Sequence, residues 1–120
     1  MELGRLAHRQ DGATVIATVY RTTNPWERLR GLLARPALGE GQGLLIDPCG
    51  SIHTLFMGYP IDVVYLDREL VVTRVIAALV PWRGSLGLGA AMTLELTAGG
   101  AAAADLRPGV ELRWELADRP

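Results

Sequence analysis

Apolar positions recur along most of this chain at the two-residue spacing of a β-strand, and over one segment at the spacing of a helix. The cleanest alternation is residues 110–116 (VELRWEL). Val110, Leu112, Trp114 and Leu116 fall on one face and Glu111, Arg113 and Glu115 on the other, which predicts a strand with one buried and one wet face. Residues 13–20 (ATVIATVY), rich in β-branched side chains and bounded by Asp11-Gly12 and Thr22-Thr23-Asn24, predict the first strand. Residues 44–46, 51–55, 61–66, 70–76 and 92–97 are further apolar runs of strand length, separated by glycine, proline or charged breaks. Spaced this closely, they favour antiparallel pairing.

The helical exception follows Asn24-Pro25-Trp26-Glu27. Asn24 can cap, Pro25 suits the first helical position, and Glu27 lies three residues after the cap and can reach back to its N–H. Trp26, Leu29, Leu32 and Leu33 then share one face until Pro36 ends the run. A shorter helical segment is expected over 101–104, after Gly99-Gly100 and before Arg107-Pro108-Gly109. Residues 39–43 and 82–89 read as glycine-rich loops, and residues 1–12 as a polar amino-terminal tail. The expected fold is mainly β: a small antiparallel sandwich or barrel, jelly-roll-like, of six to seven strands with one α-helix and one short helical segment.

At 120 residues the chain makes one domain, and 49% hydrophobic residues with a mean hydropathy of +0.20 call for a packed core. Twelve basic against thirteen acidic residues leave a net charge of −1, without the basic footprint of a nucleic-acid binder. All twelve are arginine, which excludes a Schiff-base lysine. A single cysteine excludes an intramolecular disulfide. No run has the length of a signal peptide's apolar core or of a membrane span, so the chain is expected to be cytoplasmic.

Candidate chemistry gathers between Cys49 and Asp67. A hairpin turning between Met57 and Gly58 would set His53 across from Asp62, at the roughly 4.5–5.5 Å Cβ spacing of a cross-strand pair. Such a pair is either a carboxylate-oriented general base or a polar clasp that fixes strand register, and the clasp is preferred. Ser51 would lie roughly 7 Å from His53 on the same face, and Cys49 roughly 13 Å away, too far for a direct thiolate–imidazole pair. His53, Asp62, Cys49, Asp47 and Glu95 carry no metal-ligand spacing, so no metal site is assigned. Glu95 lies between Leu94 and Leu96. It is either solvated opposite them or buried and paired with Arg30 or Arg83. Trp82-Arg83 could clamp a ligand or serve as a packing lid.

Several of these motifs also occur together, in order: Arg30-Gly31-Leu32-Leu33; Ile52-His53-Thr54 with Met57; Pro60 through Asp67; Pro81-Trp82-Arg83; and Leu94-Glu95-Leu96 with Ala98-Gly99. The pattern, spanning 13–116, resembles the bacterial and archaeal domain of unknown function 192 (DUF192). The resemblance implies a compact β-rich fold and no established activity. Gly58 stands where relatives often carry arginine or lysine, Arg68-Glu69 where they have Asp-Gly, and Val110 where they have aspartate. Many relatives are exported or tethered to membranes, whereas the residues here lead to the expectation of no such signal.

The functional expectation is a binding module for a small polar ligand or a protein partner, with a pocket formed by His53, Asp62, Trp82 and Arg83 and further contacts from Arg30 and Glu95. The competing expectation is a hydrolase-like or metal-dependent enzyme using His53 and Asp62 with Ser51 or Cys49. A third is a purely structural motif. The sequence names no cofactor and no oligomeric state.

Overall fold

The computed structural model describes residues 1–24, 38–48, 51–53, 59–80, 84–86 and 89–117, with backbone alone for 51–53 and 84–86. The described strands are β1 (Glu2–His8), β2 (Thr14–Arg21), β3 (Gln42–Ile46), β4 (Ser51–His53), β5 (Ile61–Leu66), β6 (Val72–Leu79), β7 (Gly84–Leu86), β8 (Met92–Thr97) and β9 (Leu112–Leu116). A single turn of helix, α1 (Gly100–Ala103), sits between β8 and β9 where the run of alanines predicts it. Seven strands form one sheet in the order β6-β5-β8-β3-β2-β1-β9, and β4 pairs with β7 in a separate ribbon. The helix predicted after Asn24 lies outside the described residues.

The mainly-β expectation holds, with three differences. First, β2 and β3 run parallel, so the sheet is mixed. Residues 22–41 separate these strands, more than the dozen that a parallel crossover needs. Second, the amino-terminal residues form β1 instead of a tail. Register shifts between Gly4 and Leu6 and between Leu6 and Ala7 put the consecutive residues Leu6 and Ala7 both in the interior, and this erases the alternation a strand normally shows. Third, Gly84–Leu86 is a strand, not a loop.

The sheet has two buried faces over its central strands. Inward from β1, β2, β3, β5, β8 and β9 point Leu6, Ile16, Val19, Leu45, Val64, Leu66, Leu94, Leu96 and Leu112, joined by Ala101 and Leu106 from around α1. Each fully buried leucine or valine contributes about 1.5–3 kcal/mol. The outer face carries a second cluster: Leu44, Ile46, Ile61, Val63 and Tyr65, with Tyr20, Tyr59, Ile76 and Leu79 packed against it. Burial on both sides explains why β5 (IDVVYL) reads as a nearly continuous apolar run.

The two outermost strands approach each other at one end. Val72 N–H donates to Val110 C=O, Gly109 N–H to Val72 C=O and Leu112 N–H to Leu70 C=O, at 2.9, 2.7 and 3.0 Å. The sheet therefore curls toward a barrel without closing. The wet face of β9 is laced with charge: Arg5 and Arg113 both bind the Glu115 carboxylate, and Arg9 binds Glu111. Charged side chains along an edge strand discourage pairing with another chain.

Candidate functional site

Asp62 interrupts the apolar run of β5 and is 1% exposed. Its position is set by a bulge in β6. Ile61 pairs with Leu79 and Val63 with Ile76, so two β6 residues, Ala77 and Ala78, lie opposite Asp62 alone. Ala78 takes a left-handed φ of 51°, and its N–H, lost to the ladder, donates to Asp62 Oδ1 at 2.8 Å. The other oxygen, Oδ2, accepts the N–H groups of Gly99 and Ala101 at 3.1 and 2.9 Å. One carboxylate thus ties β5 to the bulge in β6 and to the start of α1. Asp62 is a clasp, but its partners are backbone amides.

The β4–β5 hairpin expected to set His53 across from Asp62 is not formed. His53 pairs with Gly84 on β7, whereas Asp62 lies opposite Leu96 on one side and the β6 bulge on the other. The reason is topological: β5 already has neighbours along both edges, β6 and β8, which leaves no edge for β4. Ser51 lies on β4 with His53, opposite Leu86. Cys49, Arg30, Trp82 and Arg83 lie outside the described residues.

Glu95 is the unexpected member. Leu94 and Leu96 point inward as the alternation requires, yet Glu95 is only 2% exposed because the outer face is covered too. It stands in a cross-strand row, Tyr20–Leu44–Glu95–Val63–Ile76, with apolar neighbours on both adjacent strands. Burial pushes its carboxyl up to about 8 from an ordinary value of 4.5. Among the described residues its Oε2 has no hydrogen-bond partner, and the buried hydroxyl of Tyr59 has none either. Burial first, and Glu95 second, raise the Tyr59 pKa. Two unsatisfied polar oxygens therefore share one covered face, each worth about 1–3 kcal/mol when left unpaired.

Sequence reasoning named Glu95 but passed over Tyr59, which falls in the connection before β5. A usable signal was present: the chain has three tyrosines, and Tyr20, Tyr59 and Tyr65 all belong to the outer cluster. Among the described residues, no three histidine, cysteine, aspartate or glutamate side chains converge to hold a metal ion. No described helix is long and apolar enough to cross a membrane.

The family model for DUF192, described as "Uncharacterized ACR, COG1430", matches residues 6–114. The chain belongs to the DUF192 family. Among solved structures, this DUF192 chain is similar to a candidate transcription regulator from Sinorhizobium meliloti 1021, with 24% identity and a TM-score of 0.78 over 94% of this chain and 92% of the other. It is also similar to a protein of unknown function from Novosphingobium aromaticivorans DSM 12444, with 21% identity and a TM-score of 0.65 over 90% of this chain and 91% of the other. Identities this low establish a shared fold alone. No curated protein matches the chain.

Proposed function

We propose that this DUF192 domain is a binding module that takes a small polar ligand on the outer face of its sheet, with Glu95 and Tyr59 as the polar contacts. The observation that carries the reading is the unsatisfied Oε2 of Glu95 on the face that also holds the unsatisfied Tyr59 hydroxyl. Buried polar atoms are nearly always paired, and orphans of this kind call for an occupant.

The topology supports including the Ser51–His53 segment. β3 ends where Ile46 pairs with Thr93, and β5 begins where Ile61 pairs with Thr97. The connection that carries β4 therefore has to span the length of β8, the strand that holds Glu95. His53, Arg30, Trp82 and Arg83 enter the proposal as candidate walls of the same site. Asp62 enters as its scaffold, since its oxygens are committed to three amides on the inner side.

Thermal-shift measurements on wild type and Glu95→Gln, against small amines, alcohols, carboxylates and sugars, test the proposal. At least one class is expected to raise the wild-type melting temperature, and to do so less in the variant. Equal shifts in both proteins, or no shift with any class, would overturn it.

A further inference from the structure

The side chains around Glu95 point to one class of ligand, and this inference rests on the binding reading above. Glu95 brings an acidic group into an apolar face whose described neighbours supply no counter-charge. Of the elements beside β8, β3 presents Leu44 and Ile46 to this face, and α1 is glycine and alanine. β5 presents Ile61, Val63 and Tyr65, while Asp62 faces the other way, toward the amides it binds. Arg74, across from Tyr65 on β6, is on the solvent-exposed edge.

What the face does supply is aromatic. All three tyrosines of the chain lie on it. Tyr65 is diagonal to Glu95 across the β5–β8 pair, at roughly 7–8 Å between Cα atoms, and Tyr20 is two strands away, at roughly 10 Å. Tyr59 packs on the same face, against the cluster of Leu44, Ile61, Val63 and Tyr65. Ring faces attract cations and offer nothing comparable to anions or neutral alcohols. A carboxylate with an open oxygen adds a hydrogen-bond acceptor, so it favours a cation that still carries N–H over a quaternary one.

We propose that the outer face binds an organic ammonium ion, with Glu95 as its hydrogen-bonding counter-ion, the Tyr59 hydroxyl as a second acceptor, and the tyrosine rings as walls. The ion enters as R–NH3⁺, and the Glu95 carboxyl gives its proton to solvent as it binds. Since the carboxyl is mostly protonated below pH 8 in the empty protein, binding competes with that proton. The apparent affinity therefore rises about fiftyfold from pH 6 to pH 8.

The test compares n-propylammonium chloride, n-propanol and sodium propionate, three probes of one size and three charges, by calorimetry and thermal shift. Propylammonium alone is expected to bind wild type, more tightly at pH 8 by the factor above, and to lose this in Glu95→Gln at both pH values. Tyr59→Leu is expected to weaken it roughly three- to thirtyfold. On wild type alone, titrations at pH 6.5 in buffers of different ionisation enthalpy should read about one proton released per ion bound. Glu95-dependent binding of propanol or propionate instead would overturn the ammonium assignment and leave the binding module standing. Propylammonium binding that is unchanged in Glu95→Gln, or that releases no proton, would also overturn the assignment. No binding of any probe would overturn the ammonium assignment, and the binding module falls with it if the sugars of the wider screen also give no shift, which would leave the two oxygens to buried water.

Discussion

Glu95 makes the stability of the domain depend on pH in a direction opposite to that of a salt-bridged carboxylate. In the folded chain its carboxyl keeps its proton up to about pH 8, whereas in the unfolded chain it ionises near its ordinary value of 4.5. Between those two values the folded state binds more protons, so stability is greatest below the lower one and falls as pH rises toward the upper. The slope is about 1.4 kcal/mol per pH unit, or about 3 kcal/mol between pH 5 and pH 7. That is a large part of the 5–15 kcal/mol typical of a domain. Glu95→Gln keeps the shape of a neutral carboxyl and cannot ionise. Urea unfolding of both proteins at pH 5, 6, 7 and 8 should show the variant gaining on wild type by about 1.4 kcal/mol at each step, until the curve flattens near pH 8. Taking the difference removes every other titrating group. A difference that stays constant across this range would refute the reasoning, since it would mean that Glu95 is ionised in the fold and therefore paired.

Two further substitutions probe the frame around the site. Asp62→Asn leaves one acceptor where two served three amides, and is expected to lower unfolding free energy by about 2–4 kcal/mol in urea titrations, against under about 0.5 kcal/mol for a solvated aspartate. Gly43→Ala would place a methyl 2.9 Å from Leu96 Cδ2 and 3.1 Å from Leu94 Cδ1, and is expected to lower stability by about 1–2 kcal/mol in the same assay.

The strands that were legible are those whose local pattern carries their whole story. β5 and β8 match residues 61–66 and 92–97, and β2 is displaced by one residue from 13–20, because each is a short run dominated by apolar and β-branched residues between turn residues, even with Asp62 inside β5 and Glu95 inside β8. The turn after β5 is equally local, with Asp67 Oδ1 accepting the Glu69 and Val71 N–H groups. Pairing is not local. Ser51–His53 precedes β5 closely enough to suggest a hairpin, but the edges of β5 are taken by β6 and β8, which come later in the chain. Asp62 was legible as a structural clasp, and its partners were not, because a bulge and a helix start become neighbours only after the sheet has formed. For Glu95 the alternation fixed which way the side chain points. It could not say that the outer face is covered, and this alone separates a solvated glutamate from a buried one. The family resemblance, carried by motifs from 13 to 116, agrees with the match over 6–114.

The pairing of β1 with β9 has a kinetic consequence. Gly4 lies opposite Leu116 and Arg5 opposite Glu115, partners separated by 110 positions in the latter case. Pairings this distant carry a high loop-closure entropy and belong to slow-folding topologies. Until β9 arrives, β1 has one bare edge and the Val71–Glu111 bridge that ties the sheet's ends is absent. The sheet is thus completed from its most remote sequence contact, and a chain cut before Leu112 would be expected to collect as aggregates through that edge more than to persist as a smaller folded domain.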